Sequence, residues 1–222
     1  MRVIVFDVNE TLLDLDPMST QFEKHFGDAA VAKKWFAQLL QNALVATVTE
    51  TYHDFVDLAK DALGMVAELQ RVSLSADDKD KILATMRDLP PHDDVPRNLE
   101  RLKKKGFRLA ALTNSPYRSL KDQLSNAGIS GFFEQTLSVD EVNVFKPHRA
   151  VYEMAAKKLG VETNHIRMVA AHNWDTTGAI RAGCRAAFLA RAGHVLGEAD
   201  ERPDIIGATM DEVIAQIIQQ DK

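Results

Sequence analysis

Cysteine is almost absent from this chain of 222 residues, which has only Cys184. One cysteine cannot form an internal disulfide, and the cysteine and the seven histidines form no cluster with zinc-binding spacing. We therefore expect neither a disulfide framework nor a zinc-stabilised fold. Cys184 lies just before an apolar stretch, which predicts a buried and unreactive thiol.

Long hydrophobic runs and an excess of positive charge are also missing. No stretch approaches the roughly 20 apolar residues that a membrane-spanning helix needs. The formal net charge is -5, so the chain lacks the basic surface with which proteins bind nucleic-acid phosphates. We expect a cytoplasmic protein that binds neither nucleic acid nor a membrane.

Hydrophobic residues make up 45% of the chain and form short apolar runs that alternate with longer amphipathic stretches. This alternation is typical of an α/β protein, in which helices cover both faces of a parallel sheet. The predicted strands are 3–6, 109–112, 136–139, 168–171, 186–189 and 205–206. The predicted helices between them are 96–105, 118–127, 149–159 and 176–182.

One segment breaks this alternation. Between residues 15 and 89 the only periodicity is helical, with apolar residues three or four positions apart. Prolines at 90 and 91 mark its end, because proline stops helices. We expect a helical subdomain, 15–89, inserted into a core of residues 1–14 and 90–222. Its apolar residues 35–48 could support a homodimer or pack inside the subdomain.

Polar residues follow several of the predicted strands, at the edge where parallel sheets bind ligands. Asp7 comes directly after the first strand, where a carboxylate can act as a nucleophile or cap a turn. Thr113 and Asn114 follow the second strand. Their hydroxyl and amide groups suit an anion, and this segment could equally cap the next helix.

Two further segments later in the chain carry polar residues. Lys146 precedes a proline at the start of a predicted helix, where its charge could balance a carboxylate nucleophile or simply face solvent. Tyr152, on the same helix, could point into the same crevice. Asp175 could position Lys146, act as a general base or cap a helix. His172, three residues earlier, is either an ordinary loop histidine or a substrate contact.

Together, these segments resemble the four successive motifs of the haloacid dehalogenase superfamily. The matching segments are residues 6–12, 112–115, 145–147 and 171–175. The resemblance covers nearly the whole chain and implies a Rossmann-like core. It also identifies the helical insert with the cap domain that follows the first motif in this family.

Most members of this superfamily are Mg²⁺-dependent phosphatases, which carry a second aspartate two positions after the nucleophile. Here that residue is Asn9, whose amide cannot supply a proton to a leaving alcohol. A further acid that helps to hold Mg²⁺ is replaced by Ala171. The resemblance therefore favours the L-2-haloacid dehalogenases, which use no metal or other cofactor. A Mg²⁺-dependent phosphatase is the alternative, and an inactive binding protein with the same fold is the second alternative.

In a dehalogenase of this kind, Asp7 displaces halide from a short halogenated acid, and water then hydrolyses the aspartyl ester to a 2-hydroxy acid. By resemblance, Thr11 and Lys146 would hold the Asp7 carboxylate, and Asp175 would help to activate the water. The residues expected to contact the substrate are Asn9, Phe36, Gln38, Phe55, Thr113, Asn114, Tyr152, His172, Asn173 and Trp174.

The chain departs from the dehalogenase pattern near the expected substrate. The family arginine on the first long cap helix is missing, and Phe36 or Gln38 occupies its region. The tyrosine and glycine expected after the nucleophile are Asn9 and Glu10. The asparagine expected before the Trp–Asp pair is His172, whose positive charge could replace part of the missing arginine's charge.

Overall fold

Six short apolar strands pair into a parallel sheet in the computed structural model, which describes residues 2–221. Each strand pairs in parallel with its neighbours, in the order β3-β2-β1-β4-β5-β6. The strands are β1 (Val3–Phe6), β2 (Arg108–Thr113), β3 (Gln135–Ser138), β4 (Ile166–Ala170), β5 (Arg185–Leu189) and β6 (Ile205–Gly207). All four residues of β1 are buried, because helices cover both faces of such a sheet. The predicted α/β fold is confirmed.

Five helices accompany the strands after the first crossover. They are α5 (Val95–Lys104), α6 (Tyr117–Asn126), α7 (Arg149–Leu159), α8 (Asn173–Arg181) and α9 (Met210–Gln220). The predicted bounds of α5 and α6 differ from these by one residue, and those of α7 are the same. α8 begins three residues before the predicted start at 176, and α9 was not predicted. The first turn of α8 contains Asp175, whose negative charge is favourable at the positive end of a helix dipole.

Between β1 and α5 the described chain is helical, apart from isolated bridges near its two ends. The helices are α1 (Asp16–Phe26), α2 (Val31–Val48), α3 (Phe55–Leu69) and α4 (Ala76–Ala84), followed by a 3₁₀ turn at Thr85–Arg87. Where the chain leaves and re-enters the core, the Asp14 amide donates to the Pro90 carbonyl at 2.9 Å. The His92 amide donates to the Leu12 carbonyl at 3.0 Å. These bonds support our proposed division into a core, 1–14 with 90–222, and a cap, 15–89.

The long helix α2 is buried on one side and partly exposed at its end. Trp35 packs against the ring of Phe22, with centroids 5.4 Å apart, and its indole N–H donates to the Ala59 carbonyl at 2.9 Å. Val45 and Val48, by contrast, are exposed. The first half of α2 therefore packs inside the helical segment, and only its end offers apolar surface.

Neither α2 nor any other helix in the described part of the chain is long and apolar enough to cross a membrane. Cys184 is buried, as predicted. Burial, together with the nearby charge of Asp175, raises the pKa of its thiol to about 12. At neutral pH this cysteine therefore remains a protonated thiol.

Candidate active site

The candidate site lies where β1 and its two neighbours end. β1 is in the middle of the sheet, and Phe6 is in register with Ala111 of β2 and Val169 of β4. The Asp7 amide continues the ladder by donating to the Val169 carbonyl at 3.0 Å. Parallel strands end at one edge, so the residues that follow these three strands meet around Asp7.

Both oxygens of the buried Asp7 carboxylate are bound by other side chains. The Lys146 ammonium donates to Oδ1 and the Thr11 hydroxyl donates to Oδ2, each at 2.7 Å. The Thr11 oxygen in turn accepts the Ala171 amide at 2.9 Å. Burial would raise the pKa of Asp7, but the charges and hydrogen bonds of Lys146 and His172 outweigh it and hold the pKa well below its ordinary range. Asp7 is therefore an oriented, ionised carboxylate.

Lys146 connects Asp7 to a second carboxylate. Its buried ammonium donates to Asp175 Oδ2 at 2.7 Å and to the Leu112 carbonyl at 3.1 Å, in addition to Asp7. These three bonds use all three ammonium protons. Burial would lower the pKa of Lys146, but the charges of Asp175 and Asp7 outweigh it and raise the pKa. The lysine is a fixed cation between two acids.

Asp175 is completely enclosed. Its second oxygen, Oδ1, accepts the Tyr152 hydroxyl at 2.7 Å. Burial and the nearby negative charge of Asp7 raise the pKa of Asp175 in spite of Lys146. Helices α7 and α8 approach closely here. A Cβ on Gly178 would lie only 2.7 Å from both the Tyr152 hydroxyl and the Pro147 carbonyl oxygen. Asp175 is thus well placed to hold Lys146.

On the opposite side of Asp7, His172 bridges two carboxylates. Its Nδ1 lies 3.3 Å from Asp7 Oδ2, and its Nε2 lies 2.8 Å from Glu10 Oε2. Ionised carboxylates only accept hydrogen bonds, so both ring nitrogens carry protons and the ring is an imidazolium. Burial would lower the pKa of His172, but these two bonds outweigh it and raise the pKa to about 9.

Glu10 completes this side of the site. It has a positive φ of 62°, and its carbonyl oxygen lies 3.2 Å from His92 Nε2. Its carboxylate also faces His194, whose Nε2 is 3.6 Å from Oε1. Burial would raise the pKa of Glu10, but its bonds to His172 and His194 lower it to about 2. At neutral pH Glu10 is therefore negatively charged and His172 positively charged.

Glu10, His172 and His194 also form a group that could in principle hold a metal, since their ligand atoms lie within 4.8 Å of one another. Glu10 and His194 line a surface depression, whereas His172 is buried against Asp7. His172 would have to lose a proton that two carboxylates stabilise. We therefore interpret Glu10 and His172 as a hydrogen-bonded pair that ends on Asp7, with His194 beside it.

The predicted substrate contacts fall into two groups. Phe36 and Trp174 flank the His172 ring, with centroids 6.1 Å and 4.9 Å from it. Phe55 is buried, and its ring lies 5.8 Å from that of Phe145, next to Lys146. Gln38 instead donates to Asn42 on its own helix. Of the two residues considered for the place of the family arginine, the structure therefore favours Phe36.

The remaining predicted contacts mainly shape the loops of the site. The side-chain oxygen Oδ1 of Asn114 accepts the Lys146 amide at 2.9 Å, and Thr113 Oγ1 accepts the Ser115 amide at 3.1 Å. Asn173 donates to Asp200 at 2.9 Å. The Asn9 amide lies 3.5 Å from the Ser115 hydroxyl and accepts from Gln123 at 3.2 Å. This network fixes the amide of Asn9.

Sequence reasoning did not identify Glu10, Arg191 or His194 as site residues. Arg191 and His194 follow β5, so the search at strand ends would have found them if it had included that strand. The Arg191 guanidinium donates to the Thr11 carbonyl at 3.0 Å and pairs with Asp94 at 2.9 Å. It thereby fastens the loop that carries Thr11.

Comparisons with known proteins agree with this arrangement. A family model described as haloacid dehalogenase-like hydrolase matches residues 1–183. An (S)-2-haloacid dehalogenase of Pseudomonas sp. (strain YL) is 30% identical over 92% of this chain and 89% of its own length. Haloacetate dehalogenase H-2 of Moraxella sp. (strain B) is 26% identical over 96% of both chains.

Solved structures show the same fold. The crystal structure of an L-2-haloacid dehalogenase is similar over 99% of both chains, with a TM-score of 0.94 and 27% sequence identity. The family resemblance that the four motifs predicted is confirmed. The chain belongs to the haloacid dehalogenase-like hydrolases.

Proposed function

We propose that this hydrolase converts short L-2-haloacids to 2-hydroxy acids without a metal ion. The observation that carries the proposal is the Lys146 ammonium, which lies 2.7 Å from both Asp7 and Asp175. Lys146 orients the Asp7 carboxylate and leaves it ionised. Relatives named as (S)-2-haloacid dehalogenase and haloacetate dehalogenase support this substrate class.

In the first step, an Asp7 carboxylate oxygen attacks the substrate carbon that bears the halogen. A carbon–oxygen bond forms, the carbon–halogen bond breaks, and the halide leaves with the bonding electrons. A halide needs no proton to leave, which agrees with an amide at Asn9, where a phosphatase of this superfamily has an acid. The product is an ester between Asp7 and the acid.

In the second step, water attacks the carbonyl carbon of the ester and releases the 2-hydroxy acid. Lys146 and Thr11 hold the Asp7 oxygens through both steps. Asp175 has both oxygens engaged, by Lys146 and Tyr152, and its side chain is completely buried. We therefore assign it the positioning of Lys146 instead of contact with the water.

The residues present do not fit Mg²⁺. A magnesium site needs oxygen ligands, and the two carboxylates in reach, Asp7 and Asp175, both hold the Lys146 ammonium. Ala171, where a further acid stands in the phosphatases, offers no side-chain ligand. The phosphatase alternative therefore has no metal site that this arrangement supports.

The test is halide release from L-2-chloropropionate by the purified protein in EDTA. We expect turnover by the wild type and none by Asp7→Asn, which removes the nucleophile but keeps the size of the side chain. Hydrolysis of p-nitrophenyl phosphate that requires Mg²⁺, without any halide release, would instead show a phosphatase. Activity in neither assay, over a panel of haloacetates and phosphate esters, would support the inactive binding protein.

We further propose that the protein is a cytoplasmic homodimer that packs through the exposed apolar end of α2. Val45 and Val48 are exposed at this end of α2. Sedimentation of the wild type and of Val48→Lys tests the dimer: a monomeric wild type contradicts it. Fractionation of the source cells tests the location.

A further inference from the structure

Hydrolysis of the Asp7 ester needs a base for the attacking water, and Asp175 is enclosed on both oxygens. The group on the other side of the nucleophile is His172, whose Nδ1 lies 3.3 Å from Asp7 Oδ2. A base must come within hydrogen-bond distance of the water that approaches the ester carbon. Of the titratable groups that contact Asp7, His172 is the one that lies away from Lys146 and Asp175.

We propose that His172, held by Glu10, is the base that removes a proton from the hydrolytic water. This role rests on the proposed dehalogenase function, because it requires an Asp7 ester. His172 is then a catalytic residue, and Glu10 is a positioning residue that acts through it. The pair follows the logic of nucleophile, base and orienting acid, with the base serving the second step.

The change in the charge of Asp7 explains how one histidine can be protonated first and a base later. While Asp7 is ionised, the two carboxylates keep both ring nitrogens protonated. Formation of the ester removes the charge on Asp7 and with it one of the two groups that stabilise the imidazolium. The pKa of His172 falls, and the Nδ1 proton passes to solvent as the halide departs.

The neutral ring then drives hydrolysis. Nδ1 accepts a proton from water, and the hydroxide adds to the ester carbon. The tetrahedral intermediate expels the alkoxide of the product, which takes the proton of the newly formed carboxylic acid. Asp7 returns as a carboxylate and His172 as an imidazolium. Over both steps, haloacid and water give hydroxy acid, halide and one proton.

The surroundings of His172 suit this proton transfer. The charged and titratable groups that face it are Asp7, Glu10 and, at the edge of its ring, His194, with centroids 5.1 Å apart. The cap contributes the uncharged Phe36 and α8 the uncharged Trp174. The Glu10 carboxylate holds the proton on Nε2, so the neutral ring presents an unprotonated Nδ1 to the side of Asp7.

The experiment compares His172→Gln with wild type in single-turnover reactions with L-2-chloropropionate. We expect the variant to release about one halide per protein and to gain the mass of a propionate ester. Its ester should decay at least about 100-fold more slowly, because general bases contribute about 10²–10⁴-fold. His165→Gln, which changes an exposed histidine far from Asp7 in sequence, is the matched control and should behave as wild type.

A pH profile separates catalysis from a structural effect. In the wild type, the rate of ester decay should rise with pH as His172 loses its proton, and in His172→Gln this rise should disappear. Glu10→Gln keeps the histidine but removes a charge that stabilises the imidazolium. We expect it to move the midpoint of the profile to lower pH. If His172→Gln does not fold, the shift in Glu10→Gln decides.

Three results would overturn the proposal. The first is multiple turnover by a folded His172→Gln within a few-fold of wild type. The second is an unchanged midpoint in Glu10→Gln. The third is a wild type that neither releases halide nor forms an ester, which removes the dehalogenase function and this role together. Halide release with normal ester decay in the variant removes only the role of His172.

Discussion

The two sides of Asp7 differ in how far they are closed to water. On one side, the side chains of Lys146 and Asp175 have no exposed surface. On the other side, the Glu10 side chain is 26% exposed and that of His194 is 19% exposed. A closed set of charges can fix geometry but cannot exchange protons quickly with solvent. We therefore propose that the closed side orients Asp7 and that the open side transfers protons.

The largest effect should come from removing the cation of the closed side. Lys146→Met leaves two buried carboxylates without their shared partner. We expect a loss of about 3–5 kcal/mol in the free energy of unfolding, together with loss of halide release. Urea denaturation measures the first and a halide assay the second.

The matched control for this change is Lys158→Met. Lys158 is an exposed lysine that pairs with Glu141, and surface pairs contribute about 0–1 kcal/mol. Equal midpoints of denaturation for the two variants would show that Lys146 is not the buried link between Asp7 and Asp175.

A smaller effect, on the open side, should appear as a pH dependence of stability. The pKa of His172 is raised in the folded protein to about 9, whereas an unfolded histidine titrates near 6.5. The stabilisation is therefore complete below about pH 6.5 and is lost as the pH rises through about 9; it amounts to a few kcal/mol. Melting temperatures of wild type and His172→Gln between pH 6 and pH 10 should converge at the alkaline end. A constant difference would contradict the imidazolium.

The smallest effect should come from disturbing the helix contact on the closed side of Asp7. In Gly178→Ala, the new Cβ would lie 2.7 Å from the Tyr152 hydroxyl and the Pro147 carbonyl oxygen. Overpacking of this kind costs about 1–3 kcal/mol, and the shift of Tyr152 should also slow halide release. Gly131→Ala is the control, because a Cβ there meets nothing within 4 Å. Equal melting temperatures for the two variants would show that α7 and α8 can move apart with no loss of stability.

Much of the fold and part of the site could be predicted from the sequence. Hydrophobic periodicity located the strands to within one or two residues, because parallel strands buried on both faces are apolar along their length. Asp7 and Asp175 were predicted because polar residues after buried strands collect at one edge, and Lys146 because it precedes a proline at the start of a predicted helix. The structure brings these three together, while their roles in catalysis remain proposals.

The position of the Glu10 side chain could not be predicted from such patterns. Its side chain reaches His172 because the backbone at Glu10 has a positive φ, which is uncommon for residues other than glycine. No pattern of residue types indicates such a turn. The sequence suggested a positive charge on His172 but not its cause, which is two carboxylates that lie 162 and 165 positions away in the chain.

Hydrogen bonds between Asp14 and Pro90 and between Leu12 and His92 join the two points where the chain passes between core and cap. They have a consequence for how such enzymes diversify. The helical segment begins and ends at neighbouring points, so its length and sequence can change while the sheet keeps its strand order. Phe36, which we propose to contact the substrate, belongs to that segment, and Asp7, the proposed nucleophile, follows the central strand of the sheet. New specificities can therefore arise by exchange of one continuous stretch of the gene, with the reaction at Asp7 inherited intact.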